Sequence, residues 1–156
     1  MINTEILLWQ DLSKINNIPN NVLFWLDNTK SLTYRLKSQF NDFKIKVLLQ
    51  EQKKPHLNEI DLLNLNHKFI VREVQLLGNN KVLVFARSII PINNTTKDLI
   101  EIGSKPLGEI LFNNKNIKRD KLQVTNAGDI WGRRCVFNIK DSKILVSEFF
   151  LKPIYA

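Results

Sequence analysis

Three side chains in this sequence carry charge where an apolar residue is expected: Arg72, Arg87 and Glu148. Arg72 lies in "FIVREVQLL", Phe69 to Leu77, which reads as a β-strand. Successive strand residues face opposite ways, so Ile70, Arg72, Val74 and Leu76 share one face. "VLVFARSIIP" returns antiparallel after "GNNK", where Asn79 and Asn80 tolerate the left-handed conformation of a tight turn. With a two-residue turn, Leu76 faces Leu83, Val74 faces Phe85 and Arg72 faces Arg87. A three-residue turn instead puts Arg87 on the other face. The two-residue register gives the cleaner apolar face. It also sets two guanidinium groups opposite each other, which is unfavourable without a counter-charge.

A second hairpin joins "WGRRCVFNI" to "KILVSEFFL", with a turn expected at Asp141 and Ser142. Glu148 then shares a face with Cys135, Phe137, Ile139, Ile144, Val146 and Phe150. Two cations and one anion on an apolar face leave positive charge for an anionic guest. The planar fork of arginine matches a carboxylate. A structural ion pair between Glu148 and one arginine is the alternative. Three inward charges on two hairpins favour a ligand pocket. Two helix starts offer further anion contacts through unsatisfied backbone N–H groups. Leu32 follows the cap Ser31. Leu107 lies in "SKPLGEILF", where Pro106 opens the helix and Gly108 permits close approach. Glu73 and Arg133 are expected at the rim, Cys135 as a small core residue, and His56 and His67 as structural or exposed.

The elements that must position these groups are short strands and helices in alternation. "VLFWL" is a brief apolar segment, and "SLTYRLKSQF" has Leu32, Leu36 and Phe40 at helical spacing. "FKIKVLLQ" alternates as a half-buried strand. "EQKKPHLNEIDLLNLN" is a polar connection with a short helix, and "NNTTKDLIEIGSKPLGEILF" reads as helix, break, helix. The expectation is an α+β fold: one antiparallel sheet of about six strands flanked by helices, in a single domain over residues 1–156. With 156 residues, 44% hydrophobic and 24% charged, the chain suits one core of a soluble globular protein. One cysteine excludes an internal disulfide, and with two histidines a zinc site is not expected. No apolar run has the length of a membrane span, and "MINTEILLWQDLSK" is unlike a signal peptide. The net charge of +8 is scattered lysine in a chain crowded with Asn and Ile. That pattern points to an AT-rich coding sequence, as in organelle genomes, and away from nucleic-acid binding.

The order "VREVQLLGNNKVLVFARSIIP", "SKPLGEILF", "WGRRCVFNI", "LVSEFF" resembles the chorismate lyase family, which includes bacterial enzymes of ubiquinone synthesis and relatives in cyanobacteria and algal plastid genomes. "SLTYRL" resembles the family's N-terminal ligand segment, and the likeness runs from about Trp25 to Leu151. It implies an antiparallel sheet with the ligand enclosed beneath helical flaps. It implies conversion of chorismate to 4-hydroxybenzoate and pyruvate with no metal or organic cofactor, feeding quinone synthesis. By the resemblance, Arg72 holds the ring carboxylate and Arg87 the enolpyruvyl carboxylate. Glu148 meets the ring hydroxyl, orienting it or taking the ring proton. Leu32 and Leu107 contact the ligand through backbone N–H groups; Leu32 stands where bacterial members often carry methionine. The corresponding expectations are a monomer in the plastid stroma or cytoplasm, with no nucleic-acid partner. A non-catalytic domain of the same fold, like the effector domains of some transcription regulators, is the alternative.

Overall fold

A computed structural model describes residues 2–26, 31–64 and 66–156. Five strands dominate: β2 (Lys44–Gln52), β3 (Phe69–Gly78), β4 (Lys81–Pro91), β7 (Ile130–Ile139) and β8 (Ser142–Phe150). Three shorter ones complete the sheet: β1 (Gln10–Asp11), β5 (Lys118–Arg119) and β6 (Gln123–Ala127). All pair antiparallel in the order β1-β6-β7-β8-β4-β3-β2, with β5 also on β7. Among the described residues the sheet thus has eight strands where about six were expected. The additions are too short for their alternation to stand out in the sequence.

The first turn forms as its asparagines dictate, with φ of 50° at Asn79 and 62° at Asn80. The strands beyond it do not keep the expected register. Leu77 lies opposite Val82, but Leu76 lies opposite Val84, so Leu83 is an extra residue in β4. Space makes the bulge possible. A Cβ on Gly78 would lie 2.8 Å from Leu83 Cδ1 and 2.6 Å from Phe40 Cβ, so only glycine lets Leu83 and Phe40 close over this corner. Leu83 is buried there among Leu76, Trp25 and Leu36. The consequence is a change of face for every later β4 residue. Arg72 lies opposite Ser88, and Arg87 lies opposite Glu73 on the other side of the sheet.

The second turn falls at Lys140 and Asp141, one residue earlier than expected, since Ile139 pairs with Ser142. The slip preserves parity, so Glu148 stays on the face of Cys135, Phe137, Val146 and Phe150. Its cross-strand neighbour becomes Arg133 in place of Cys135.

Helices α1 (Asn20–Leu26), α2 (Leu32–Gln39), α4 (Lys97–Ile100) and α5 (Leu107–Asn113) are arranged with the face that carries Arg72 and Glu148. Ser31 caps α2 as expected, its Oγ accepting from Tyr34 N at 3.1 Å. Leu26 and Leu36 are fully buried against Val74, Leu76 and Phe150, each contributing about 1.5–3 kcal/mol by leaving water. The other face is covered by the short α3 (Leu57–Ile60) and the N-terminal segment around Leu7 and Trp9. Among the described residues, no helix is long and apolar enough to cross a membrane.

Candidate active site

The helix-covered face encloses a cavity, floored by β3, β4, β8 and β7 and roofed by the starts of α2 and α5. Its apolar wall includes Val74, Leu76, Ala86, Phe137 and Val146. Arg72, Glu148, Leu32 and Leu107 all line it, so four of the five expected residues converge.

Arg72 is 2% exposed. Its Nη1 donates to Gln50 Oε1 at 2.8 Å and to the Gly103 carbonyl at 2.7 Å, and its Nη2 to the Lys105 carbonyl at 3.1 Å. All three acceptors are neutral. Desolvation by burial lowers its pKa, although an arginine stays charged. A buried guanidinium held, among the described residues, by neutral oxygens retains its attraction for an anion, and it sits on the cavity wall. Gln50 is its cross-strand neighbour on β2, and Gln50 Nε2 reaches the Ile100 carbonyl at 2.6 Å. Arg72 therefore ties both the edge strand and the loop before α5 to the sheet.

Glu148 faces the same cavity two residues further along the sheet and two strands away. From strand rise and spacing, the two backbones stand about 12 Å apart. Their side chains can bracket a single-ring molecule between a cationic and an anionic end. Glu148 Oε1 accepts from Arg133 Nε at 2.9 Å. Arg133, expected at the rim, is 6% exposed and lines the cavity. The alternation of β7 carried this signal, because Arg133 shares parity with Cys135 and Phe137. The first backbone N–H groups of α2 and α5 have no intrahelical acceptor, and those of Leu32 and Leu107 belong to this set.

Arg87 is not part of the cavity. The Leu83 bulge turns it to the opposite face, where it is 4% exposed. There its Nε and Nη2 grip both oxygens of Glu59 at 2.9 and 3.0 Å, and its Nη1 donates to Glu73 Oε2 at 3.0 Å. Hydrogen bonds and charge from Glu59 and Glu73 outweigh burial and raise its pKa. Glu59 also accepts from the His56 backbone N–H at 2.7 Å, closing the first turn of α3. A four-residue helix inside a polar connection gave no sequence signal for that acid.

Arg134, next to Arg133, points to the Arg87 side. It donates to Gln123 Oε1 and the Asn58 carbonyl and stacks on Trp9; burial lowers its pKa to about 10. Cys135 lines the cavity, and burial pushes its thiol up to about 11, which disfavours the nucleophilic thiolate at neutral pH.

A sequence profile of the chorismate lyase family matches residues 3–156. A protein of Pseudoalteromonas atlantica named "Probable chorismate pyruvate-lyase" is 36% identical, the match covering 92% of this chain and 85% of that protein. A protein of the same name from Methylococcus capsulatus is 33% identical over 83% of this chain and 94% of its own length. Among solved structures, the C-terminal domain of the histidine utilization repressor from Pseudomonas syringae pv. tomato aligns with a TM-score of 0.51 and 5% identity. That alignment covers 72% of this chain and 93% of the repressor domain, and shows a shared fold alone. With the profile spanning nearly every residue and the relatives matching over most of their length, the chain belongs to the chorismate lyase family.

Proposed function

We infer that the protein is a chorismate pyruvate-lyase, a carbon–oxygen lyase that converts chorismate to 4-hydroxybenzoate and pyruvate. One observation carries the site assignment: among the described residues a buried guanidinium, Arg72, meets only neutral acceptors on the wall of a cavity that also holds a carboxylate. Chorismate has a ring carboxylate and, across the ring, a hydroxyl. Arg72 binds the carboxylate and Glu148 accepts a hydrogen bond from the hydroxyl, which holds the ring between two strands that both pair with β4. The backbone N–H groups of Leu107 and Leu32 supply neutral donors from the roof.

In the reaction the ether bond to the enolpyruvyl group breaks. The proton on the hydroxyl-bearing ring carbon leaves and the ring becomes aromatic, while the departing enolpyruvate gains a proton at its methylene carbon and becomes pyruvate, so the protons balance. Aromatisation provides the thermodynamic drive, so the protein need not supply a strong nucleophile. Its tasks are to hold one conformer and to stabilise negative charge on the departing enolpyruvate oxygen. The apolar walls keep water from competing for those contacts. The chain acts as a single lyase domain and as a monomer. Its product feeds quinone synthesis, and it works in the plastid stroma or the cytoplasm, the Lys-, Asn- and Ile-rich composition favouring the former.

The test is direct. Purified protein given chorismate releases 4-hydroxybenzoate, followed by absorbance, well above the uncatalysed rate. Binding of 4-hydroxybenzoate without turnover would instead identify a non-catalytic ligand-binding domain.

A further inference from the structure

We infer that Arg133 is the positioning residue for Glu148: it fixes one carboxylate oxygen to the scaffold so that the other addresses the substrate. The assignment rests on the lyase reading above. Arg133 and Glu148 are direct cross-strand partners on β7 and β8, so the ladder itself sets their separation. Arg133 Nε donates to Glu148 Oε1 at 2.9 Å. Its Nη1 donates at 3.2 Å to the carbonyls of both Trp25 and Leu26, the last residues of α1. Those carbonyls belong to the set that a helix end leaves without intrahelical donors. The guanidinium carbon lies 5.7 Å from the centroid of the buried Phe150 ring. Its place is therefore determined by α1, Phe150 and the sheet before any ligand arrives.

Glu148 Oε2 has a different environment. Among the described residues no hydrogen bond reaches it, and it faces the start of α5, where a Cβ on Gly108 would stand 3.8 Å away. A carboxylate with one oxygen anchored and the other turned to the cavity has a single working orientation. That is the preorganisation a hydroxyl-directing group requires. Arg133 need not touch substrate to do this; it acts through Glu148.

The experiment compares Arg133→Met, Arg133→Lys, Glu148→Gln and both double variants by kcat and KM for chorismate, with melting temperatures measured alongside. Arg133→Met should lower kcat about 100-fold while KM changes less than about threefold, because orientation is lost and the Arg72 contact is kept. Arg133→Lys keeps the charge and should recover about tenfold of that loss. On the Glu148→Gln background either Arg133 substitution should change kcat by no more than about twofold, since the two residues act as one unit. Should Arg133→Met not fold, the lysine variant carries the comparison. Losses that multiply in the double variants, or a loss that only tracks the folded fraction, overturn the assignment. A wild-type protein without turnover overturns the lyase reading and this assignment together, which separates that failure from the first two.

Discussion

The two arginines first read as partners should respond oppositely to removal, and Arg87→Met tests this most sharply. In the structure Arg87 is clamped on Glu59, with side chains 4% and 3% exposed and paired N–O distances of 2.9 and 3.0 Å. The substitution keeps much of the volume but strands a buried carboxylate. Breaking a buried pair from one side costs about 3–5 kcal/mol. The bond to the half-buried Glu73 adds little, because water can replace it. For a chain of this size each kcal/mol lowers Tm by about 2–4 °C, so the expected drop is about 6–20 °C. That is a large part of a typical total stability of about 5–15 kcal/mol, so activity should be measured at low temperature, where the variant stays folded. Arg87→Lys, which keeps charge but loses the fork, should fall between the two proteins in a thermal melt. Per folded molecule, KM for chorismate should stay within about threefold of wild type, since no Arg87 atom lines the cavity. A variant with unchanged Tm and KM raised a hundredfold would refute the face assignment and restore Arg87 to the substrate.

Arg72→Met should do the reverse: kcat/KM falls by about 10²–10⁴, corresponding to about 3–5 kcal/mol, while Tm changes by only a few degrees, because no acid is left behind. Gly108→Ala should leave the free protein at least as stable, since alanine favours helix, yet raise KM, because its methyl enters the space beside Glu148 Oε2; steady-state kinetics with a thermal melt decide it. Cys135 should resist iodoacetamide at pH 7.5 in the folded protein and react once unfolded, and Cys135→Ala should retain most activity. His56 has its pKa lowered from 6.5, first by desolvation and then by the Arg87 charge, so the unfolded chain binds its proton more readily. Its contribution to stability is full above pH 6.5 and declines as pH falls through the folded-state pKa; His56→Gln should flatten that part of a Tm-against-pH curve.

The fold class and one half of the site were legible because they depend on parity, which survives small errors. Moving the second turn by one residue in the chain shifts the pairing by two, so Glu148 kept its face although its neighbour changed from Cys135 to Arg133. The first hairpin shows the opposite sensitivity. Its turn was right, and one bulged residue still reversed the face of everything after it. Nothing in "GNNKVLVFARS" announces the bulge, because its cause lies elsewhere in the chain: Phe40, at the end of α2, and Leu83 close over the absent side chain of Gly78. Glu59 was hidden for a related reason, since its partner is set by that same bulge and no local pattern marks a buried acid in a polar connection.

That reversal also changes what electrostatics the cavity contains. With Arg87 inside, three cations, Arg72, Arg87 and Arg133, would face Glu148. With Arg87 outside, each face balances differently. The far side carries the Arg87, Glu59 and Glu73 network, together with Arg134, as a clamp between sheet and α3. The cavity side keeps Glu148 anchored to Arg133 and, among the described residues, leaves Arg72 with neutral oxygens. At one end of the site Glu148 is paired through a single oxygen, its other oxygen turned to the cavity; at the other end Arg72 meets, among the described residues, neutral oxygens. A ligand with a carboxylate at one end and a hydroxyl at the other completes both, whereas a ligand with acids at both ends of the ring would meet the repulsion of Glu148. Terephthalate should therefore bind far more weakly than 4-hydroxybenzoate, by at least about 1.4 kcal/mol or tenfold, in a competition measurement. Equal affinity would mean that Glu148 does not face the bound ring.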